Sequence, residues 1–505
     1  MYTDNAAVEL LERNLARTPD KAAYLCGERS LSYWELQRAS RRFALLLRER
    51  GIAPGERVLI QLPDSLAFPV AFLGCLLAGV TAVVAGTALT REQFEHVLND
   101  SGSRLLVTDP RLPSPLPLEQ SRVALLACDE EDSFPAPRSP DGEPDAHRAE
   151  EDEIAYMQYS SGSTGVPKGI PHRHRDLLIP CDLVGREILG LSDRDRIFSV
   201  SKFSFAYGLI NSLAFPLFFG ATAILHRNKP DAAAILELME RHRPTVFFAV
   251  PTVYSQLILS CDGDRLELPL RLCYSAGEAL PAAICQEWQR LTGLELLDGI
   301  GSTEMANIYI SNRPDRARPG SAGQAVPGYR IRLVDEEDRP VPPGTTGTLL
   351  VKGPTGCPCY WNLPDRSDET MLPDGFLRSG DLFVERDGFY YHQGRNDDMI
   401  KAGAQLVSPL PVEEALLGHP AVAECAVVAV SVGGLVKPGA FVILSPDARQ
   451  SPTLARELRR YLLERLPEQM CPVSFTFVDE LPRTATGKIQ RFRLRQQAYP
   501  KGAET

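Results

Sequence analysis

A chain of 505 residues is too long for one ordinary hydrophobic core, so two or more domains are expected. Apolar residues at 44% and charged residues at 24% are the balance of a globular protein, not of a disordered or fibrous one. A net charge of −11, with no long basic run against it, argues against nucleic acid as a partner, so a phosphate ligand must be held by local groups.

The first stretch, MYTDNAAVELLERN, is acidic and polar and lacks a signal peptide's apolar core. Residues 1–128 then alternate amphipathic helices (VELLERNLARTP, SYWELQRASRRFALLLRERG) with strands (ERVLIQL, RLLVTD), which points to α/β layers. Between Ser65 and Thr90 no residue is charged, and the length would allow a membrane span. Pro69, Gly74, Gly79 and Gly86 interrupt it, and VTAVVA is β-branched, so the expectation is a core helix then a core strand, with no membrane span. Residues 129–153 are acidic and proline-rich and read as an exposed connection. The alternation resumes over 177–300, with strands TAILHR, TVFFAV and RLCYSAG and a helix AAAILELMERHRP. From Ser321 to Tyr391 short strands and turns predict a β-rich subdomain. After Gly394 comes a small α+β unit whose helix PTLARELRRYLLERL puts Leu454, Leu458, Tyr461 and Leu462 on one face.

The cysteines are odd in number, and their one tight spacing, Cys357-Pro-Cys359, is neither C-x-x-C nor a zinc pattern. They read as reduced thiols of a cytoplasmic protein. The histidines, His172 and His174 included, are expected as surface or loop residues.

Directly after the strand IAYMQY comes YSSGSTGVPKG, residues 159–169. A backbone that wraps phosphate needs glycines for close approach and free N–H groups. Gly162, Gly165 and Gly169 supply the first, Ser160, Ser161, Ser163 and Thr164 add hydroxyls, and Lys168 adds charge. It is not a Walker A loop, because Pro167 precedes the lysine and Gly169 follows it. Alone, it competes with an ordinary mobile Gly/Ser loop.

Further stretches follow in order: SAGEAL (Ser275–Leu280), GIGSTEM (Gly299–Met305), SGD (Ser379–Asp381), GRNDDMIK (Gly394–Lys401) and PRTATGKIQR (Pro482–Arg491). With the phosphate loop they resemble the signature motifs of the adenylate-forming superfamily, which includes acyl-CoA ligases, adenylation domains of peptide synthetases and luciferases. The resemblance covers nearly the whole chain. It implies an α/β fold with a large N-terminal AMP-binding domain of layered subdomains, residues 1–395 (β-rich over about 321–395), and a small mobile α+β domain, residues 396–505.

The resemblance also implies chemistry: a carboxylate attacks the α-phosphate of ATP to give acyl-AMP and pyrophosphate, and a thiol then displaces AMP. On that pattern the phosphate loop (Ser160, Ser161, Gly162, Ser163, Thr164, Gly165, Lys168) holds the β- and γ-phosphates. Gly277, Glu278 and Asp298 lie toward the adenine, and Thr303 touches the α-phosphate. Glu304 holds Mg²⁺, a hard cation that takes oxygen ligands. Asp381 and Arg395 fix the ribose, and Lys488 bridges the attacking carboxylate and the α-phosphate. Asp397 marks the hinge about which the C-terminal domain swings between the half-reactions.

SKFSFAYG puts Ala206, not an aspartate, after Phe205. A buried ammonium would then lack a partner, so the acid carries no α-amine. FAYGLINSLAFPL and Ile300 look most like the benzoate-CoA ligase branch, with an acid pocket from Phe205, Ala206, Tyr207, Ile300, Gly301, Ala306 and Asn307. Ala306 and Asn307 are smaller than the branch's usual residues, which predicts a substituted or larger ring acid. KAGAQLVSP departs from the family by placing Ala404 where glycine is usual and Gly403 one earlier, on the expected thiol path. The loop SVGGLVKP (Ser431–Pro438) looks shorter than in CoA ligases. Coenzyme A is the first acceptor expected, and a carrier-protein phosphopantetheine or an enzyme of one half-reaction stays open, as does a homodimer. A non-catalytic nucleotide-binding relic also stays open; retention of Lys488, Glu304, Asp381 and Arg395 together weighs against it.

Overall fold

The computed structural model describes residues 4–112, 123–138, 145–161, 166–261, 265–402, 405–432, 435–446, 448–483 and 489–498. The chain divides into two compact units, Met1–Arg330 with Val351–Leu377, and Ile331–Leu350 with Arg378–Thr505.

The first unit holds two large sheets. In the nine-stranded sheet, six strands run parallel in the order Ala22–Cys26, Thr222–Leu225, Arg196–Ser199, Val246–Ala249, Leu272–Ala276 and Leu296–Gly301. The strand VFFA is apolar and buried throughout, and TAIL is buried throughout and apolar but for Thr222, as parallel strands covered on both faces must be. Antiparallel strands Ile308–Ser311 and Gln324–Ala325 continue the sheet beyond Leu296–Gly301.

The six-stranded sheet has the order Ala124–Ala127, Leu105–Thr108, Arg57–Gln61, Thr81–Val84, Ile154–Ser161, Pro167–Arg173. Only the last pairing is antiparallel, so the phosphate loop joins the final parallel strand to an edge hairpin strand. The uncharged stretch forms the helix Ala67–Leu77 and the strand Thr81–Val84, both wholly buried. No helix among the described residues is long and apolar enough to cross a membrane. The helix Tyr33–Glu49 starts in a capping box between Ser32 and Glu35 and buries Leu36, Phe43 and Leu47.

The described part of the 129–153 connection is mostly exposed, but Pro137, Ala149 and, as a correction, the charged Asp132 are buried. Asp132 pairs with Arg29, Arg111 and Arg227, and the last two also bind Asp109 and so hold the carboxylates together. A buried carboxylate needs such partners, and they come from distant segments that local composition does not reveal.

The β-rich stretch forms a four-stranded sheet of Arg330–Val334, Thr346–Lys352, Leu377–Arg386 and Phe389–Arg395. Beyond it, Val422–Val432 and Leu435–Leu444 form a long hairpin, and Phe475–Phe477 pairs parallel to its second strand. The expected loop Ser431–Pro438 is therefore mostly strand, paired out to Val432 opposite Leu435. Its apolar, β-branched residues favour continued pairing over an open loop. The helix Pro452–Leu463 buries Leu454, Leu458 and Leu462 and leaves Tyr461 half-buried, its ring edge-on to His419 at 4.9 Å.

Candidate active site

The hairpin of Ile154–Ser161 and Pro167–Arg173 sets Ser160 opposite Lys168 and Ser161 opposite Pro167. Gly162, Ser163, Thr164 and Gly165 lie outside the described residues. Both flanks of the loop are tied down. The Tyr159 hydroxyl donates to Asp100 Oδ2 at 2.7 Å, and His96 Nε2 donates to the Pro167 carbonyl at 2.8 Å.

Across from this hairpin, the strand Leu296–Gly301 runs into a 3-10 turn, Thr303–Met305. Each carbonyl of that turn is held from outside it. Thr303 O accepts from His172 Nε2 at 2.7 Å, Glu304 O from the Cys357 N–H at 2.8 Å, and Met305 O from Thr355 Oγ1 at 2.7 Å. Two glycines let the backbone approach. A Cβ at Gly299 would lie 2.0 Å from Tyr274 Oη, and one at Gly301 would lie 2.4 Å from the Asn307 carbonyl oxygen. Ala306 leaves the turn in the left-handed region at φ 60°. A methyl is the smallest side chain that can bear this, at a cost of about 1 kcal/mol.

The turn presents Glu304 to the hairpin. Lys168 Nζ and the Tyr360 hydroxyl both donate to Glu304 Oε1 at 2.8 Å. Lys168 Nζ also sits 3.9 Å from the centre of the Tyr360 ring. The Lys168 and Glu304 side chains are only 15% and 14% exposed. Burial by itself would raise the Glu304 carboxyl, but the Lys168 ammonium and the Tyr360 hydroxyl outweigh it and hold it below the ordinary value. Burial, with Glu304 alongside, pushes the Tyr360 hydroxyl up, so it remains a donor. One carboxylate beside one ammonium is a poor cage for a bare divalent cation. It suits Mg²⁺ that arrives with most of its oxygens on a phosphate chain.

On the other side of the strand Leu296–Gly301, Phe205 precedes the short helix Ala206–Leu209 in extended conformation, and Ala206 is buried. The Tyr207 hydroxyl donates to the Tyr274 carbonyl at 3.2 Å, and Tyr274 Oη hydrogen-bonds Ser311 Oγ at 2.6 Å. Asn307 is 3% exposed, and neither atom of its side-chain amide has a hydrogen-bond partner among the described residues. By strand alternation Ile300 shares a face with Leu296 and Asp298, opposite the face of Gly299. Asp298 is buried, its Oδ1 has no hydrogen-bond partner among the described residues, and burial pushes its carboxyl well above the ordinary value. It borders a cavity of about 160 Å³ shared with Cys285, Asn312 and Arg318. Gly277 takes φ 92°, and Glu278 accepts from Thr252 Oγ1 at 2.9 Å.

In the second unit, Asp381 and Arg395 are direct cross-strand partners, with Arg395 Nε 3.4 Å and His392 Nε2 3.6 Å from Asp381 Oδ1. Asp397 lies in the 3-10 turn Asn396–Asp398, where its carbonyl accepts from Arg495 at 3.2 Å. Lys488, Gly403 and Ala404 lie outside the described residues. Just past Lys488, Arg491 donates to both oxygens of Glu413 at 2.9 and 2.7 Å, which ties the following helix Arg491–Ala498 to the helix Pro409–Leu417.

Two further residues join the site without having been expected there. Tyr360 has no motif of its own. His172 is corrected from surface to core: it is fully buried, with Nδ1 3.1 Å from Asp176 Oδ2 and Nε2 on Thr303. His174 is also buried, and its Nδ1 accepts from the Ala6 N–H at 3.2 Å. His172 lies on the edge strand Pro167–Arg173, and His174 just past its end, before the helix Arg175–Pro180. A second cluster, Asp109, Cys128 and Asp132, brings potential metal-ligand atoms within 4.8 Å of one another. Arg29, Arg111 and Arg227 already engage its carboxylate oxygens, so it is an ion-pair network. All the cysteines are unpaired thiols.

Fold and site together define an adenylate-forming enzyme: residues 11–361 match the AMP-binding enzyme family and 411–488 its C-terminal domain, and the chain belongs to that family. Within it, the chain groups with the benzoate–CoA ligase-like enzymes. It is 40% identical to a benzoate–CoA ligase of Thauera aromatica, over 97% of this chain and 95% of that one. The crystal structure of a benzoate CoA ligase from Burkholderia xenovorans LB400 superposes with a TM-score of 0.90 at 42% identity, covering 97% of this chain and 99% of the other. An anthranilate CoA ligase in complex with anthranoyl-AMP gives 0.91 at 36% identity, covering 98% and 97%.

Proposed function

We propose that the chain is an AMP-forming aryl–CoA ligase that takes a benzoic acid bearing a polar ring substituent. The class rests on the similarity to the benzoate and anthranilate ligases, the second of which carries its acyl-adenylate. The observation that carries the refinement is Asn307, whose buried amide lacks any hydrogen-bond partner among the described residues. An unpaired buried amide costs about 1–3 kcal/mol, which a hydroxyl or amino group on the substrate ring would recover.

In the first step a carboxylate oxygen of the acid attacks the α-phosphorus of ATP, the bond to the bridging oxygen breaks, and pyrophosphate leaves. Ser160, Ser161 and Lys168, with Gly162, Ser163, Thr164 and Gly165, hold the leaving phosphates; Thr303 steadies the α-phosphate; Asp381 and Arg395 hold the ribose. Glu304 is the residue placed to hold Mg²⁺, which when bound neutralises charge shared by the phosphates. Gly277, Glu278 and Asp298 border the adenine side, and Phe205, Ala206, Tyr207, Ile300, Gly301, Ala306 and Asn307 enclose the ring. Lys488 brings a cation to the carboxylate and α-phosphate. The C-terminal residues then turn about Asp397, and the thiolate of coenzyme A attacks the acyl carbon, expelling AMP. Ala404 in place of the usual glycine keeps a second reading alive, in which a carrier-protein phosphopantetheine is the better acceptor.

Pyrophosphate–ATP exchange with a panel of benzoate and its hydroxy- and aminobenzoates, followed by addition of coenzyme A or a carrier protein, tests this. Exchange with a substituted benzoate above benzoate, and thioester formation with coenzyme A, is the expected result. Benzoate as the best acid of the panel would sink the polar-substituent reading, and no exchange with any acid would sink adenylation.

A further inference from the structure

Tyr360 stands at the junction of two opposite charges. Its hydroxyl is bound to Glu304 Oε1 at 2.8 Å, and its ring face lies 3.9 Å from Lys168 Nζ. Few neighbours offer a cation and an anion suitable contacts at once, because a charged side chain would repel one of them. A phenol does both, with its π-face toward the ammonium and its O–H toward the carboxylate.

The residue is held firmly in that position. Its N–H donates to Ser367 Oγ at 2.9 Å. The next residue, Trp361, donates its N–H to the Gly169 carbonyl at 2.9 Å and its indole N–H to the Asp100 carbonyl at 3.0 Å. Asn362 donates to Asp100 Oδ1 at 3.0 Å, the carboxylate whose other oxygen receives Tyr159. The segment that carries Tyr360 is therefore fastened directly to the strand that leaves the phosphate loop and, through Asp100, to Tyr159 on the strand that enters it.

The Lys168–Glu304 pair is buried, so neither charge can be left without a partner for long. A nucleotide would draw Lys168 to its phosphates and leave Glu304 to the accompanying cation. Both exchanges must happen in one small space.

We infer that Tyr360 is a positioning residue through which this exchange occurs: its ring keeps Lys168 in place as it turns to phosphate, and its hydroxyl keeps Glu304 aimed at the magnesium that comes with the nucleotide. The inference rests on the proposed placement of ATP at this hairpin. Because Lys168 occupies Glu304 beforehand, magnesium binds only together with a nucleotide, and its contribution to nucleotide affinity depends on the Tyr360 hydroxyl.

The test is calorimetric titration of the full-length enzyme with a non-hydrolysable ATP analogue, once with Mg²⁺ and once with EDTA. Tyr360→Phe keeps the ring and removes only the hydroxyl. Its affinity in EDTA should stay within about twofold of the parent, while the gain from Mg²⁺ shrinks about tenfold, the worth of one hydrogen bond to a charged group. Tyr360→Leu should lose affinity in EDTA as well, because Lys168 loses its ring. A merely structural tyrosine would lower both limbs of the Phe variant equally, and that result, or an unchanged gain from Mg²⁺, overturns the inference. Failure of the parent enzyme to bind the analogue at all would instead strike the proposed ATP site. Melting temperatures of both variants report whether each is folded, and a Phe variant that unfolds would itself assign Tyr360 to the core and overturn the positioning role.

Discussion

His172 Nε2 donates to the carbonyl oxygen of Thr303 at 2.7 Å, from a ring with no exposed surface. The contact links the strand that leaves the phosphate loop to the turn that carries Thr303 and Glu304. The Thr303 carbonyl points one way and its hydroxyl another, so fixing the carbonyl fixes where the hydroxyl is delivered. His172→Phe fills the ring's space without the N–H, and it should lower the adenylation kcat about tenfold, with a smaller change in the KM for the acid. His172→Gln, which restores an N–H, should recover part of the loss. A Phe variant with the parent kcat would show that the bond does nothing for Thr303.

Asn307 is the proposed selectivity handle. Replacing it with Leu removes an amide left without partners and keeps the volume. The kcat/KM for a hydroxy- or aminobenzoate should fall about 10- to 100-fold, while that for benzoate stays level or rises. Equal losses for both acids would mean that Asn307 shapes the pocket without touching a substituent.

How much of this could be read from the chain depends on whether the signal is local. The phosphate loop, the TEM turn and the SGD and GRND pair are short contiguous strings, and Asp381 faces Arg395 across the strands those strings form. The uncharged stretch resolved into a buried helix and strand because proline, glycine and β-branching are local signals too. Tyr360 and His172 were not legible for the opposite reason. Their partners, Glu304 and Thr303, are brought to them by tertiary packing, and no spacing rule connects positions so far apart. The stretch Ser431–Pro438 misled because two glycines read as a loop, whereas the valines and leucine around them extend the hairpin.

Gly301 should tolerate no side chain. A Cβ there would lie 2.4 Å from the Asn307 carbonyl oxygen and 2.9 Å from Ile308 Cα, both backbone atoms that cannot swing aside. Gly301→Ala should destabilise the protein by about 1–3 kcal/mol, and adenylation should fall because Asn307 and the TEM turn move together. Denaturant unfolding beside pyrophosphate exchange measures both. A variant of parental stability and activity would mean that the strand and turn separate freely.

In the proposed reaction, Lys488 divides the two half-reactions. A cation at the attacking carboxylate and the α-phosphate is needed while negative charge gathers there, and is not needed when a thiolate attacks an acyl carbon. Lys488→Ala should therefore lower adenylation by about a hundredfold or more. Thioester formation from supplied acyl-AMP and coenzyme A should stay within a few-fold of the parent. Arg491, bound to both oxygens of Glu413, supplies the contrast. Glu413→Gln would weaken the anchor of the segment that carries Lys488 without touching the reacting atoms, and should slow adenylation less than loss of the lysine does. Stopped assays that follow pyrophosphate release and thioester formation separately distinguish these outcomes. If Lys488→Ala slows both halves alike, the lysine belongs to the binding of the adenylate and not to its formation.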